Sequence, residues 1–164
     1  MGQRELLLTI GAIVIFSLMS LSINRLAVRN SVAITDQQIE FFGVSLAQRF
    51  IEEAKVKAFD ENTIVGNPAI MPSGFTSVPM GPGVGEVYPN FDDVDDFNGF
   101  TTTESTNMGN MDVSISVDYV SDANLDSVIN PTKSFYKKMT VTVQSDYLNH
   151  SITAEYVFAF QKNP

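Results

Sequence analysis

The chain contains a long run without charged side chains, from Leu6 to Ile23. As an α-helix, this run measures roughly 27 Å, which is enough to cross the hydrocarbon core of a bilayer. A cleaved secretory signal peptide is the alternative, because Ser20-Leu21-Ser22 has the small-x-small pattern at which such peptides are cut. The run exceeds the ~7–15 apolar residues that are usual in a signal peptide. We therefore expect a membrane helix that the protein retains.

Glu5 stands at the beginning of the apolar run, with Arg4 beside it. A charge that enters lipid or a packed apolar core costs several kcal/mol unless it is paired. The position therefore predicts one of two arrangements. Either the carboxylate is buried with a cationic partner, or Arg4 and Glu5 flank a membrane helix at the level of the lipid headgroups.

The helical pattern continues beyond the apolar run. Residues 24–59 contain no proline and a single glycine, Gly43, so nothing in this segment forces a helix to stop. Apolar side chains recur there at spacings of three and four residues, which places them on one helix face: Ile39, Phe42, Leu46, Phe50 and Ala54. We predict one long helix that is apolar over residues 1–27 and amphipathic over residues 28–59.

An irregular segment follows over residues 60–110. Gly66-Asn67-Pro68 is a strong turn signal, and five of the seven prolines of the chain lie in this segment. Apolar side chains such as Phe75 and Tyr88 give the segment surface to pack against a neighbour, so we interpret it as a packed loop rather than a linker. The hydroxyl-rich stretch from Thr101 to Thr106 is predicted to be part of this loop.

Residues 111–164 show the period-two alternation of half-buried strands. Apolar and polar side chains alternate in MDVSISVDYV, and the same alternation runs over residues 136–144 and 150–160. The short connection at residues 147–149 implies an antiparallel hairpin. One face of such a sheet must be covered, and the amphipathic half of the helix is the large element available. The predicted fold is therefore α+β: a long N-terminal helix packed against a C-terminal antiparallel β-meander, with a Gly/Pro-rich loop region between them.

The composition excludes several functional classes. The chain has no cysteine and one histidine, so it lacks the residues for disulfides, for thiolate metal sites and for most zinc or acid–base chemistry. The first 59 residues carry six basic and five acidic side chains, whereas the remainder carries four basic and fourteen acidic ones. Because residues for zinc or acid–base chemistry are scarce, we predict that the protein is not an enzyme. An acidic surface repels nucleic acid and stays soluble, so we also predict that the protein does not bind nucleic acid.

The chain resembles a type IV pilin or pseudopilin. The resemblance depends on the glutamate at the fifth residue, the uncharged helix after it, the amphipathic continuation, the loop region and the C-terminal sheet. If Met1 is the first residue of the processed chain, Glu5 has the position that the family gives it, whereas cutting after Gly2 would make it the third residue. The resemblance implies that the Glu5 carboxylate pairs with the α-amine of Met1 in a neighbouring subunit.

The same resemblance implies what the chain assembles with. Copies of the chain would form an extracellular helical filament, after a stage as a single-pass membrane protein. A prepilin peptidase and inner-membrane assembly machinery are further implied partners. The filament core would contain large apolar side chains of the first helix half: Leu6, Leu7, Leu8, Ile10, Ile13, Ile15, Phe16, Leu18 and Leu21. The alternative is a single-span protein whose acidic extracytoplasmic domain binds a partner without polymerising.

An acidic segment, DDVDD, offers oxygen ligands of the kind that Ca²⁺ prefers. It also resembles an acidic segment of pilins of the mannose-sensitive haemagglutinin type. The candidate ligands are Asp92, Asp93, Asp95, Asp96 and Asn98. Their spacing does not fit an EF-hand, which needs a glycine at the sixth loop position and a distal glutamate. A solvated acidic turn without a metal is the alternative, and no other cofactor is expected.

Overall fold

The computed structural model of this protein describes residues 2–63 and 69–161 and contains two compact units, Met1–Ile39 and Glu40–Pro164. One α-helix, α1 (Gln3–Lys55), begins in the first unit and ends in the second. Four strands follow it along the chain: β1 (Thr101–Thr106), β2 (Gly109–Tyr119), β3 (Tyr136–Gln144) and β4 (Ile152–Ala159). The turn predicted at Gly66-Asn67-Pro68 lies outside the described residues.

The four strands form one antiparallel sheet in the order β1-β2-β3-β4. Each strand pairs with the next one along the chain, and Val117 of β2 lies opposite Met139 of β3. The antiparallel meander predicted for the C-terminal part is therefore confirmed. The buried side chains of β2 and β3 include those that the period-two pattern placed inward: Val113, Ile115, Val117, Tyr119, Met139, Val141 and Val143.

The part of α1 that belongs to the second unit packs against the sheet. Its buried residues recur at spacings of three and four: Gly43, Leu46, Ala47, Phe50, Ile51 and Ala54. A Cβ added to Gly43 would lie 2.5 Å from Cδ1 of Ile152 and 3.8 Å from Cγ1 of Val143, so the absence of a side chain brings the helix close to β3 and β4. The predicted α+β fold, with the helix on an antiparallel sheet, is confirmed.

Two details of the helix prediction are wrong. Phe42 is 41% exposed, because Gly43 occupies the packed face and Phe42 lies about 100° away around the helix axis. The helix ends at Lys55 and not at Phe59. Beyond its end, the peptide N–H of Ala58 donates to the carbonyl of Asp92, and the N–H of Val94 donates to the carbonyl of Ala58, both over 3.0 Å. Tertiary pairing with the acidic segment thus replaces the last predicted turn.

The stretch from Thr101 to Thr106 is a strand, so the prediction that it is loop is wrong. Its residues pair with β2 from Thr101 opposite Ser114 to Thr106 opposite Gly109. Threonine is β-branched and favours strands when a partner strand is available. Gly109 has a φ of +111°, which a glycine adopts readily in the tight connection between β1 and β2.

Candidate functional site

The first half of α1 exposes its large apolar side chains. The nine side chains predicted for a filament core are about half exposed or more, from 48% at Leu21 to 74% at Leu8 and Phe16. The helix is also long and apolar enough to cross a membrane. An apolar surface of this extent marks contact with lipid or with another protein.

Three of the four hydroxyl groups in this half are satisfied within the helix. Ser17 Oγ donates to the carbonyl of Ile13 over 2.8 Å, and Ser22 Oγ donates to the carbonyl of Leu18 over 2.9 Å. Thr9 Oγ1 donates to the carbonyl of Leu6, three residues earlier, over 2.9 Å. Because these three groups need no water, they can enter apolar surroundings without losing their hydrogen bonds.

The Glu5 carboxylate caps its own helix. Its Oε2 accepts a hydrogen bond from the peptide N–H of Gly2 over 3.2 Å, while the Glu5 N–H donates to the Gly2 carbonyl over 3.0 Å. Glutamate at the third helical position makes this contact in a capping box, and its charge also complements the helix dipole. Met1, whose amine is the partner that the resemblance implies, lies outside the described residues.

The acidic segment folds into a single 3₁₀ turn, Asp95–Phe97, whose carboxyl groups cap nearby peptide groups. Asp93 Oδ1 accepts from the N–H groups of Asp95 (2.6 Å) and Asp96 (3.2 Å). Asp96 Oδ2 accepts from the N–H groups of Asp92 (3.0 Å) and Asp93 (3.3 Å). Asp92 is exposed, but the other three aspartates are buried, so the turn is not the solvated one of the alternative interpretation.

Lys137 of β3 is a buried lysine with no exposed surface. Its Nζ lies 2.7 Å from Asp60 Oδ2 and 2.5 Å from Asp95 Oδ1, and it donates to the carbonyl of Phe59 over 2.8 Å. The rings of Phe59 and Tyr119 have their centroids 4.4 Å and 5.2 Å from the same nitrogen. Lys137, Asp60 and Asp95 therefore form a buried triad of one amine and two carboxyl groups.

Sequence reasoning missed this triad, although one signal for it was present. Lys137 lies two residues before Met139 and four before Val141 on β3. The period-two pattern therefore places its side chain on the same, inward face of the sheet. Its partners lie 77 and 42 residues away along the chain. No local pattern in the sequence indicates contacts over such distances.

The two carboxyl groups of the triad have pKa values shifted in opposite directions. Burial raises the pKa of Asp95 to about 6, against the opposing effect of Lys137. Burial acts in the same direction on Asp60, but Lys137 and the N–H groups of Thr76 and Asn62 outweigh it and hold the pKa of Asp60 below its usual 3.8. Asp60 is therefore a carboxylate at neutral pH. As the pH falls, Asp95 is the first of the two groups to take up a proton.

The remaining predicted calcium ligand, Asn98, also serves the protein itself. Its Nδ2 donates to the carbonyl of Met80, and its Oδ1 accepts from the N–H of Val117, each over 2.9 Å. Four of the five predicted ligands thus already have a side-chain oxygen in contact with another group of the protein. The calcium site stays a prediction, and a cation there would compete with these contacts.

A second group of carboxylates lies beside the acidic turn. One oxygen from each of Glu61, Glu86 and Asp92 lies within 4.8 Å of the others. Burial and the charges of Asp92 and Glu86 raise the pKa of Glu61. Oxygens at this spacing suit a divalent cation, but a proton on Glu61 relieves the same repulsion. The arrangement by itself is therefore not evidence for a metal site.

Comparisons with family models, with curated proteins and with solved structures give no match for this chain. Two features of the molecule bear on its function. The exposed apolar half of α1, with Glu5 at its start, is a surface suited to association. The triad side chains are at most 2% exposed, so any chemistry there acts on the chain itself.

Proposed function

We propose that this protein is the structural subunit of an extracellular filament of the type IV pilus kind, which polymerises through the apolar half of α1. Before assembly the subunit is a single-pass membrane protein. By the same resemblance, its partners are copies of itself, a prepilin peptidase and an inner-membrane assembly machinery. The observation that carries the proposal is the exposure of the large apolar side chains from Leu6 to Leu21.

The free energy gained by such an assembly depends on whether the apolar side chains lie in water or in lipid beforehand. Each Leu, Ile or Phe that leaves water for a packed core contributes about 1.5–3 kcal/mol. Before assembly these side chains lie in lipid, which is as apolar as a protein core, so most of this gain is offset. The shape of the packed helices and the pairing of Glu5 then decide whether subunits associate.

The cap at Glu5 is compatible with an intersubunit contact. A carboxylate has about four sites that accept hydrogen bonds, and the bond from the Gly2 N–H uses one of them. The α-amine of a neighbouring subunit can therefore bind Glu5 while the cap persists. A charge pair of this kind is tolerated in an apolar core because each charge is matched.

The exposed apolar surface extends beyond the predicted membrane span. Phe41 is 73% exposed, and Phe42 and Val44 are 41% and 40% exposed. These side chains lie on the part of α1 that packs against the sheet, on the sides that the sheet does not cover. They provide further surface for helix contacts between subunits, whereas the acidic remainder of the chain would face water.

A single-span protein that does not polymerise is the second candidate function. The observation that favours it is the cap itself, because the bond to Gly2 gives the Glu5 carboxylate a partner within its own helix. In that case Glu5 lies among lipid headgroups, and the acidic domain binds a partner outside the membrane.

Substitutions at Glu5 separate the two candidates. Glutamine removes the charge but keeps the cap, because Gln also serves at the third position of a capping box. We expect Glu5→Gln and Glu5→Ala both to assemble poorly, since a buried pair that loses one partner costs about 3–5 kcal/mol. Glu5→Asp keeps the charge on a shorter side chain and should lie between these variants and the wild type. The measurement is the ratio of sheared filament to membrane-retained subunit.

The matched control is Asp36→Asn, which neutralises an exposed carboxylate on the same helix. It should assemble like the wild type. If Glu5→Gln also assembles like the wild type while Glu5→Ala does not, the cap and not the intersubunit pair is what matters. If electron microscopy of sheared cell-surface material shows no filaments for the wild type, the non-polymerising candidate stands.

A further inference from the structure

The buried triad holds an amine against two carboxyl groups where water is excluded. The side chains of Lys137 and Asp60 have no exposed surface, and that of Asp95 is 2% exposed. Burial of three charges carries a large desolvation cost, and one ammonium cannot neutralise two carboxylates. A reaction that converts the ammonium and one carboxylate into a neutral group would leave one buried charge, that of Asp60, in place of three.

The two carboxyl groups of the triad differ in their hydrogen bonds. Asp60 accepts from the N–H of Thr76, at 2.8 Å to Oδ2, from the Thr76 hydroxyl, from the N–H of Asn62 and from the Tyr119 hydroxyl. Asp95 Oδ1 faces the Lys137 amine, but its buried Oδ2 has no hydrogen-bond partner in the described part of the chain. An unpaired buried carboxylate oxygen is costly. It is also the atom that a condensation reaction can remove as water.

We propose that Lys137 Nζ and Asp95 Cγ condense to an amide, so that an intramolecular isopeptide bond joins β3 to the acidic turn, with Asp60 as the base that transfers the protons. This modification is separate from the filament proposal, because it takes place within one chain whether or not that chain polymerises.

The reaction needs no reactant from outside the triad. The Lys137 ammonium first gives one proton, through Asp60, to the Asp95 carboxylate, which leaves a neutral amine facing a carboxylic acid. The nitrogen lone pair forms a bond to Cγ, and the electrons of the C=O bond move to its oxygen. A second proton passes from nitrogen, through Asp60, to the hydroxyl, which departs as water while the C=O bond forms again. One ammonium and one carboxylate become one amide and one water, and Asp60 ends as a carboxylate.

The electrostatics of the triad agree with these roles. The pKa of Asp95 is raised to about 6, mainly by burial, so this group is the more easily protonated acceptor. The pKa of Asp60 is held below its usual value, so this group remains an anion that can accept and return a proton. Titratable groups whose pKa values are pushed apart in this way identify the acid and the base of a site. The 2.5 Å contact from Nζ to Asp95 Oδ1 brings the reacting groups together before any movement.

Mass spectrometry of the full, folded wild-type chain tests the proposal directly. We expect a mass lower than that of the processed sequence by one water molecule. After digestion with trypsin and with a protease that cuts after glutamate, the fragment from Val87 to Glu104 should be joined to the fragment from Ser134 to Lys138, because an amide at Lys137 blocks tryptic cleavage there. A junction to the fragment that ends at Glu61 would make Asp60 the acceptor and overturn the assignment.

Variants of the triad test the separate roles. Lys137→Arg keeps a positive charge but cannot form the amide, and Asp95→Ala removes the acceptor, so both should have the full mass of their sequences. Lys138→Arg is the matched control, because the neighbouring lysine forms its ion pair with Glu155, at 3.5 Å, and should leave the bond intact. Asp60→Asn should slow formation of the bond during refolding by at least about 100-fold, as expected for loss of a general base.

The decisive outcome does not depend on whether any variant folds. If the folded wild-type chain, checked for β-sheet signal by circular dichroism, has its full mass and yields separate peptides, the triad is an ion pair only and the proposal is wrong.

Discussion

Asp93 is a buried carboxyl group whose protonation differs between the folded and the unfolded chain. Burial, followed by the charges of Asp95 and Asp96, raises its pKa from 3.8 to about 8. The folded chain therefore keeps a proton on Asp93 at neutral pH, whereas the unfolded chain does not. The stability that this group contributes is fully present below its unfolded pKa and decreases as the pH rises towards its folded pKa. Because burial is the largest cause, the pKa of Asp93 is still raised if Asp95 has become an amide.

Asp93→Asn should remove this pH dependence. Asparagine keeps the Oδ1 acceptor for the N–H groups of Asp95 and Asp96 but cannot ionise. Between about pH 5 and pH 8, we expect the free energy of unfolding of the variant to rise relative to the wild type by up to about 1.4 kcal/mol per pH unit. Denaturant unfolding followed by circular dichroism measures the difference. Asp122→Asn, at an exposed position, is the control, and a difference that stays constant with pH would contradict the argument.

At the scale of elements, the close approach of α1 to β4 determines which residues the helix tolerates. Gly43 faces the end of the Ile152 side chain, where an added Cβ would lie 2.5 Å from Cδ1. Six residues further along, Arg49 forms an ion pair with Glu104 of β1 over 2.6 Å. Because both groups of this pair are partly exposed, it contributes about 0–1 kcal/mol. The packed contact at Gly43 is therefore the stronger constraint on how the helix lies on the sheet.

Enlarging residue 43 should destabilise the second unit in proportion to size. Gly43→Ala should be close to neutral, because the gain in helix propensity of about 1 kcal/mol offsets a small shift of Ile152. Gly43→Leu should cost about 1–3 kcal/mol through overpacking, and Ile152→Ala in the same chain should recover part of this. Chemical unfolding measures each change. Ser45→Leu, at an exposed position on the same helix, should change stability little, and an equal loss there would refute the packing argument.

The elements that could be predicted from the sequence are those with a local periodicity. The spacing of Leu46, Phe50 and Ala54 predicted the packed helix face, and alternation around Val117 and Val141 predicted β2 and β3. The end of α1 could not be predicted, because pairing of Ala58 with the acidic segment decides it. Of the candidate site, the apolar run and Glu5 at its start could be named from the sequence, and their role in assembly stays a prediction. The triad depends on contacts between segments far apart in the chain, which no local pattern encodes.

At the scale of the whole molecule, charge and hydrophobicity divide along the chain. In the first unit, the exposed apolar run from Leu6 to Ile23 contains no charged residue, whereas the chain from Asp60 onward has four basic and fourteen acidic residues. The second unit also contains its own buried core, formed by residues of α1, the irregular segment and the sheet. These properties indicate that the second unit folds without the apolar run.

A truncated chain that begins at Val28 should therefore be a soluble monomer with mixed helix and sheet. Its net negative charge opposes association, and the core residues of the second unit are all retained. Size-exclusion chromatography and circular dichroism measure the two properties. Aggregation, or the absence of β signal, would show that the apolar half is needed for folding and that the division of the chain is wrong.

The distance along the chain between the members of the triad also affects the order of folding. Asp60 precedes Lys137 by 77 residues, so the ribosome releases α1 long before the strand that supplies the amine. At a synthesis rate of about 5–20 residues per second, this interval lasts roughly 4–15 s. Contacts between such distant segments form late, because loop-closure entropy must first be overcome. Throughout that interval β3 and β4 are not yet available to cover the packed face of α1 around Phe50, so this face lacks half of its sheet until they are synthesised.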